Sequence, residues 1–424
     1  MKVRHHQACV FALTWMAYAS TYLLRKPLAV VKMDLSSELK MTRTQLGWLD
    51  TAMFLPYAFV QMVFGSSADK YGARRTLACC LMTSGISMAS FGMWHSFYIF
   101  ALFLFINGAA QSQAWPSCVK VLGSWFNNRQ RNAVFGLWGT CTFAGGVMGT
   151  ALAVHLQTYY GWRDVFLIPS LLLLSMGLLV VLFLHTPADY EIVIQGKDSD
   201  FVSSSADAPE HVTMSFIQLW SFPMLKELAV SMFCVKIVRY CVFMWLPMYL
   251  YEQLHYGKGE SGMLSTSFEI GGVAGSAALG YLIQRLLDGQ TLKGSALVIL
   301  ASTLSLVCFL ITASWGAFFN ISLMMITGAL NCGVDPILTG SVPAELAEWE
   351  GRDIQASISG FINGFGSLGT VVMGPVVGVL TELFGWSGML YMIIVLSLLG
   401  SLSTFRGYSI WRRLQEENPQ QVKA

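Results

Sequence analysis

The sequence predicts an all-α polytopic membrane protein with twelve transmembrane helices, arranged as two pseudo-symmetric bundles of six. Three observations carry this prediction. The 424 residues are 54% hydrophobic and only 12% charged, where a typical soluble domain has roughly 25% charged residues. The charges cluster between apolar runs such as DVFLIPSLLLLSMGLLVVLFL (164–184) and SALVILASTLSLVCFLITAS (295–314). Each such run is near the ~20 residues needed to cross ~30 Å of hydrocarbon. The third observation is internal repetition between the two halves.

Taken in order, the apolar stretches fall at 8–31, 45–67, 76–94, 96–123, 131–157 and 164–185, then at 225–250, 261–287, 293–313, 315–341, 353–381 and 385–406. The first has full span length and no small-residue cleavage site, so it reads as a retained helix. The long polar segment 186–224, with Asp189, Glu191, Asp198, Asp200 and Asp207, reads as a cytosolic linker. The expected layout is an N-terminal bundle (1–185), this linker, a C-terminal bundle (225–406) and a cytosolic tail (407–424). Most basic residues outside the spans, among them Arg4, Arg74, Arg75, Arg129, Arg131 and Arg412, lie on one side. The other side has Lys32, Lys40, Arg43, Arg163 and Lys258. The positive-inside rule therefore predicts that both termini are cytosolic.

The repeat is specific. NGAAQSQAWP (107–116) lies 220 positions before TGALNCGVDP (327–336), with Gly108/Gly328, Ala109/Ala329 and Pro116/Pro336 in common. The same offset relates GVMGT (146–150) to GSLGT (366–370), and Gly161-Trp162 recurs as Gly385-Trp386. Parallel six-helix repeats are a transporter architecture with the binding site at the repeat interface. The nine cysteines follow no metal spacing and read as reduced packing residues, so no metal or cofactor is expected. The net charge of +2 gives no sign of a nucleic-acid partner. The composition likewise offers no convergent nucleophile, base or metal cluster, and an enzyme is not expected.

Arg25 and Arg239 sit deep inside apolar stretches at matching places in the two halves. An arginine at a bilayer midplane costs at least about 2.5–3.5 kcal/mol, so two of them suggest a cavity for an anion. Tyr18, Tyr22 and Arg25 fall at i, i+4 and i+7 and share a helix face. Tyr57 and Gln61 share another. Arginine offers a charge-assisted fork for phosphate, and tyrosine adds directional hydrogen bonds. Lys26 lies ~100° around the helix from Arg25. It shapes the field, pairs with an acid or touches substrate. Lys236 is on the face of Arg239 and is either a second cation for the anion or a partner for Glu269. Asp335 faces the same polar interior or a helix-breaking turn. Glycine faces at Gly145, Gly146 and Gly149, and at Gly271, Gly272 and Gly275, allow either helix sliding or static close packing.

GSSADKYGARR (65–75) resembles the G-x-x-x-D-[RK]-x-G-x-[RK]-[RK] signature of the major facilitator superfamily at every defined position. The resemblance implies that Gly65, Asp69, Gly72, Arg74 and Arg75 are the gating-motif residues. Gly72 would permit the tight turn, while Asp69 and the arginines would bridge helix ends. Within that superfamily the chain resembles the organophosphate:phosphate antiporters, in YLLRKPLAV (22–30) and VKIVRYCVFMWLPMYL (235–250). WPSCVKVLGSWF (115–126) and ASISGFINGFGSLGTVVMGPVVG (356–378) are similar to the sugar-phosphate exchanger branch. The resemblance implies exchange of a phosphate ester for inorganic phosphate by alternating access. Arg25 and Arg239 would be the essential arginines, with Tyr18, Tyr22 and Tyr57 beside them. Gln61 and Thr142 stand where the bacterial glycerol-phosphate carriers have a lysine and a histidine.

Two unpaired arginines would make the empty cavity costly and favour obligate exchange. The alternatives are a carrier for another organic anion, or a phosphate-ester sensor on the same scaffold. A monomer in an internal membrane such as the endoplasmic reticulum is expected, with the plasma membrane as the alternative.

Overall fold

In hydrocarbon a backbone N–H has no water to bond, so a spanning segment must satisfy its own polar groups, and a helix does this residue by residue. The computed structural model describes residues 2–64, 71–126, 134, 137–190, 216–287, 290–350 and 355–417, and among them there is helix and no strand. The chain divides into two units, Met1–Asp207 with Tyr256–Thr266, and Ala208–His255 with Ser267–Ala424.

The first unit contains α1 (Lys2–Arg25), α2 (Pro27–Glu38), α3 (Arg43–Phe64), α4 (Ala73–Ala89), α5 (Phe97–Gln111), α6 (Ala114–Trp125), α7 (Cys141–Tyr159) and α8 (Asp164–Phe183). The first residues of α11 (Lys258–Leu286) group with it: Lys258 Nζ donates to Asp34 Oδ1 at 2.7 Å, and Gly262 packs on the Val154 side chain. The second unit holds α9 (Phe216–Ser221), α10 (Leu225–Glu252), the rest of α11, α12 (Thr291–Thr312), α13 (Ala317–Pro336), α14 (Val342–Glu350) and α15 (Gln355–Glu417). A non-helical Gly385 (φ 66°) divides α15.

The described parts of the twelve expected stretches fall on helix almost throughout. Eight helices among the described residues are long and apolar enough to cross a membrane, and Ile358–Glu417 carries the last two stretches. The first, second and eighth stretches are less apolar because they bear polar interior residues, including Arg25, Lys26, Asp50 and Glu269, all buried. The surface is inverted relative to a water-soluble protein. On α8 the side chains of Leu171, Leu178, Leu182 and Phe183 are exposed, while Ser170 is buried. Apolar exposure on this scale suits lipid and would be an aggregation hazard in water.

Glycines set the closest crossings. A Cβ on Gly108 of α5 would land on the Met53 carbonyl of α3, and one on Gly328 of α13 would land on the Phe268 carbonyl of α11. These two glycines occupy the same repeat position, so the repeat is a repeat of helix crossings. Gly145 and Gly149 of α7 press likewise on the Ala19 and Tyr22 carbonyls of α1, and Gly271 and Gly275 on Met325 and Ala329. The Trp162 indole donates to Glu38 at 2.8 Å, and Trp386 repeats the bond to Glu252 at 3.1 Å.

Lys32, expected in a loop on the non-cytosolic side, is instead fully buried and paired with Asp50 at 2.6 Å, which ties α2 to α3. A buried cation needs such a partner, and α3 supplies it.

Candidate functional site

In the first unit the site begins with a helix break. Proline 27 has no N–H, so the Leu23 carbonyl loses its usual donor and the helix bends at Lys26. Arg25 is thereby the last residue of α1. Its guanidinium carbon lies 4.9 Å from the ring centre of Tyr22, 4.8 Å from that of Tyr57 and 5.8 Å from that of Tyr18. A cation over a desolvated ring face gains about 0.5–2 kcal/mol. Tyr18 is fixed in turn by Trp115 and Trp138, with ring centres 5.1 and 5.5 Å away.

Arg25 Nε donates to Gln111 Oε1 at 2.5 Å. The Gln111 amide donates onward to Ser84 Oγ (3.0 Å) and Asn107 Oδ1 (2.9 Å), and Ser84 donates to the same Asn107 oxygen at 2.5 Å. All four residues are buried. The network orients one edge of the guanidinium through neutral groups on α4 and α5.

In the second unit Arg239 Nη1 donates to Asp335 Oδ2 at 2.5 Å, and Nη2 to the Cys332 carbonyl at 3.1 Å. That carbonyl is available for a local reason. Pro336, four residues on, has no N–H to offer it, and Ile337 N–H turns to Val334 instead. A π-helical turn, Ile337–Ser341, follows. One turn before Arg239, Lys236 Nζ donates to Asn363 Oδ1 at 2.6 Å and to the Asn363 carbonyl at 3.4 Å.

Tyr18, Tyr22, Tyr57 and Arg25 are thus brought together in one unit, and Lys236 with Arg239 in the other. Lys236 meets Asn363 rather than Glu269, because α15 brings an amide to its end. Lys26 is buried with its stem against Gly149. Thr142 is half-buried and donates to the Gly139 carbonyl of its own segment at 2.9 Å, and Gln61 is half-buried on α3. The expectation of two unpaired arginines is corrected at Arg239, which has a carboxylate partner. Sequence reasoning missed Gln111, Asn107, Ser84, Trp115, Trp138 and Asn363, and left Asp335 without a partner. A signal for Asp335 exists: it takes the place of Trp115 before the repeated proline.

Of the gating motif, Gly65 and Asp69 lie outside the described residues. Gly72 has φ 87°, a conformation that favours glycine, and precedes α4. Arg74 Nη1 lies 3.2 Å from His185 Nδ1 beyond α8, and Arg75 is exposed. Asp189 accepts from the Thr186 N–H at 2.7 Å, which with the Thr186 hydroxyl holds its carboxyl below the usual carboxylate range.

Solved structures with this fold include a bacterial homolog to the human lysosomal transporter Spinster in its inward-facing and unoccupied conformation. The TM-score is 0.72 at 13% identity, over 96% of this chain and 98% of that one. The putative glycerol-3-phosphate transporter 3 of Arabidopsis thaliana is 29% identical, over 95% of this chain and 87% of its own length. The glucose-6-phosphate exchanger SLC37A2 of Mus musculus is 25% identical, over 93% and 90%. Sugar phosphate exchanger 3 of Homo sapiens is also 25% identical, over 93% and 91%. The Major Facilitator Superfamily itself matches at residues 10–347 and again at 228–423, and with the helical, twofold-repeated architecture this means that the chain belongs to that superfamily.

Proposed function

We propose that the chain is a secondary transporter that exchanges a phosphate ester, a sugar phosphate or glycerol 3-phosphate, for inorganic phosphate by rocker-switch alternating access. The observation that carries this reading is Arg25, a buried guanidinium set among the rings of Tyr18, Tyr22 and Tyr57 and oriented by Gln111. A phosphate needs a planar fork of donors together with hydroxyls, in surroundings of low effective dielectric, and this cluster supplies all three. Lys26, Gln61 and Thr142 are further candidates in the first unit, and Arg239 and Lys236 furnish a cationic cluster in the second. The substrate class rests also on relatives named for glycerol 3-phosphate and sugar phosphates. Both termini are assigned to the cytosol by the distribution of basic residues.

The test is uptake of labelled phosphate, glucose 6-phosphate and glycerol 3-phosphate into proteoliposomes preloaded with phosphate. Saturable uptake that depends on internal phosphate is expected. It should fall about 100-fold in Arg25→Lys, where an ammonium cannot satisfy both the ring cage and the Gln111 bond. It should fall about tenfold in Arg239→Lys, where Asp335 still has a cation to meet. Uptake indifferent to both substitutions would overturn the reading. Uptake of other organic anions that phosphate does not inhibit would replace it with a carrier of a different anion class.

A further inference from the structure

Two acceptors hold Arg239: the Asp335 carboxylate through Nη1 and the Cys332 carbonyl through Nη2. A phosphate oxygen arriving at Nη1 competes with Asp335 Oδ2 for one N–H, since a carboxylate oxygen and a phosphate oxygen are the same kind of acceptor for a guanidinium. Resting on the exchange reading above, we propose that Asp335 is an internal stand-in for the substrate anion. It closes on Arg239 when no substrate is bound and gives way when one arrives. The unloaded carrier then has no uncompensated guanidinium in this unit. It completes its return step empty, and net transport runs beside exchange.

The surroundings fit a group that moves. Asp335 is half-buried, with 20% of its side chain exposed, so an anion has access to it. It precedes Pro336 and the π-helical turn Ile337–Ser341, where the regular ladder is already interrupted. Such interruptions inside helices recur at functional sites. The neighbouring cation, Lys236, is occupied by the neutral Asn363. Glu269, a further carboxylate of this unit, is buried on α11. The first half has no acid at the matching position, which holds Trp115, packed edge-to-face against Tyr18. The switch therefore belongs to one half of the repeat.

The experiment compares efflux of labelled phosphate from proteoliposomes into medium with phosphate, which reads exchange, and without it, which reads net transport. It uses the wild-type chain, Asp335→Asn and Asp335→Glu. Wild-type net efflux is expected within about tenfold of exchange. In Asp335→Asn the ratio of net efflux to exchange should fall about tenfold further, with a lower apparent KM for external phosphate, because Arg239 then lacks a charge partner in the empty carrier. Asp335→Glu should restore the ratio, and Asp335→Ser serves as a second uncharged variant. An unchanged ratio in the uncharged variants overturns the inference while leaving the exchange reading intact. Loss of exchange together with net efflux, in protein that melts at the wild-type temperature, overturns it too, since Asp335 is then part of the grip itself. Absence of exchange in the wild-type chain overturns the functional reading and this one with it.

Discussion

The two halves of this chain cross their helices alike and hold their arginines differently. Gly108 and Gly328 bring equivalent helices into backbone contact, and Trp162 and Trp386 make equivalent bonds to Glu38 and Glu252. Even the interior pair Ser84–Asn107 has its counterpart in Ser305–Thr327, with hydroxyls 2.8 Å apart. Arg25 and Glu38 sit 214 positions before Arg239 and Glu252, so the arginines themselves are in register. Around them the halves part. One guanidinium stands among tyrosine rings and an amide network, the other on a carboxylate and a freed carbonyl. Backbone contact between helices tolerates no added atom, so it stays fixed across the repeat. The side chains around an interior cation need only supply compatible partners, and they diverge.

This contrast is open to attack from both sides. If the crossings are a shared scaffold, Gly108→Ala and Gly328→Ala should cost about the same, about 1–3 kcal/mol each. In both, the new methyl meets a backbone carbonyl that has nowhere to move. Thermal unfolding in detergent reads this, and a large loss in one half alone would break the equivalence. The site should behave in the opposite way. Gln111→Glu places a carboxylate on Arg25, as Asp335 does on Arg239, and makes the first half resemble the second. Apparent affinity for phosphate is expected to drop about tenfold, since the anion must then displace a charged competitor. An unchanged KM would mean that a partner's charge does not matter, and the distinction between the halves would lose its meaning. The smallest effect should come from Trp162→Phe and Trp386→Phe. Each loses one hydrogen bond to a carboxylate near a helix end, about 0.5–1.5 kcal/mol of stability, with exchange retained. A large effect of one on flux would move the asymmetry from the arginines to the helix ends.

Much of this was readable beforehand. Hydropathy and span length located the helices, and the period of 3.6 placed Tyr18, Tyr22 and Arg25 on one face, where they stand. The stretches were least apolar where the helices carry Arg25, Asp50 and Glu269. The partners were harder. Gln111 lies 86 residues from Arg25 and Asp335 lies 96 from Arg239, so neither follows from helical spacing. Asn363, 127 residues from Lys236, was found by no pattern, and Glu269 was the natural guess as the prominent interior acid. Which polar group meets which cation is decided by the rotation of two packed helices, a quantity that hydropathy leaves unspecified. Lys32 failed for a related reason: at the edge of an apolar run it reads as a loop residue until Asp50 arrives from α3.

Pro336 has a consequence for anyone who edits this chain. Main-chain atoms are ordinarily beyond the reach of mutagenesis, because every residue carries the same ones. Here a ring at position 336 leaves the oxygen of residue 332 without its ladder donor, and Arg239 supplies one in its place. Pro336→Ala, a change usually chosen to straighten a helix, would return a ladder donor to that oxygen. The oxygen would then share its two lone pairs between the helix and the arginine and hold Arg239 less strongly beside Asp335. One side chain thus rewrites the backbone vocabulary available to another, and a library that varies only the residues touching Arg239 through their side chains would pass over the one that governs its second acceptor.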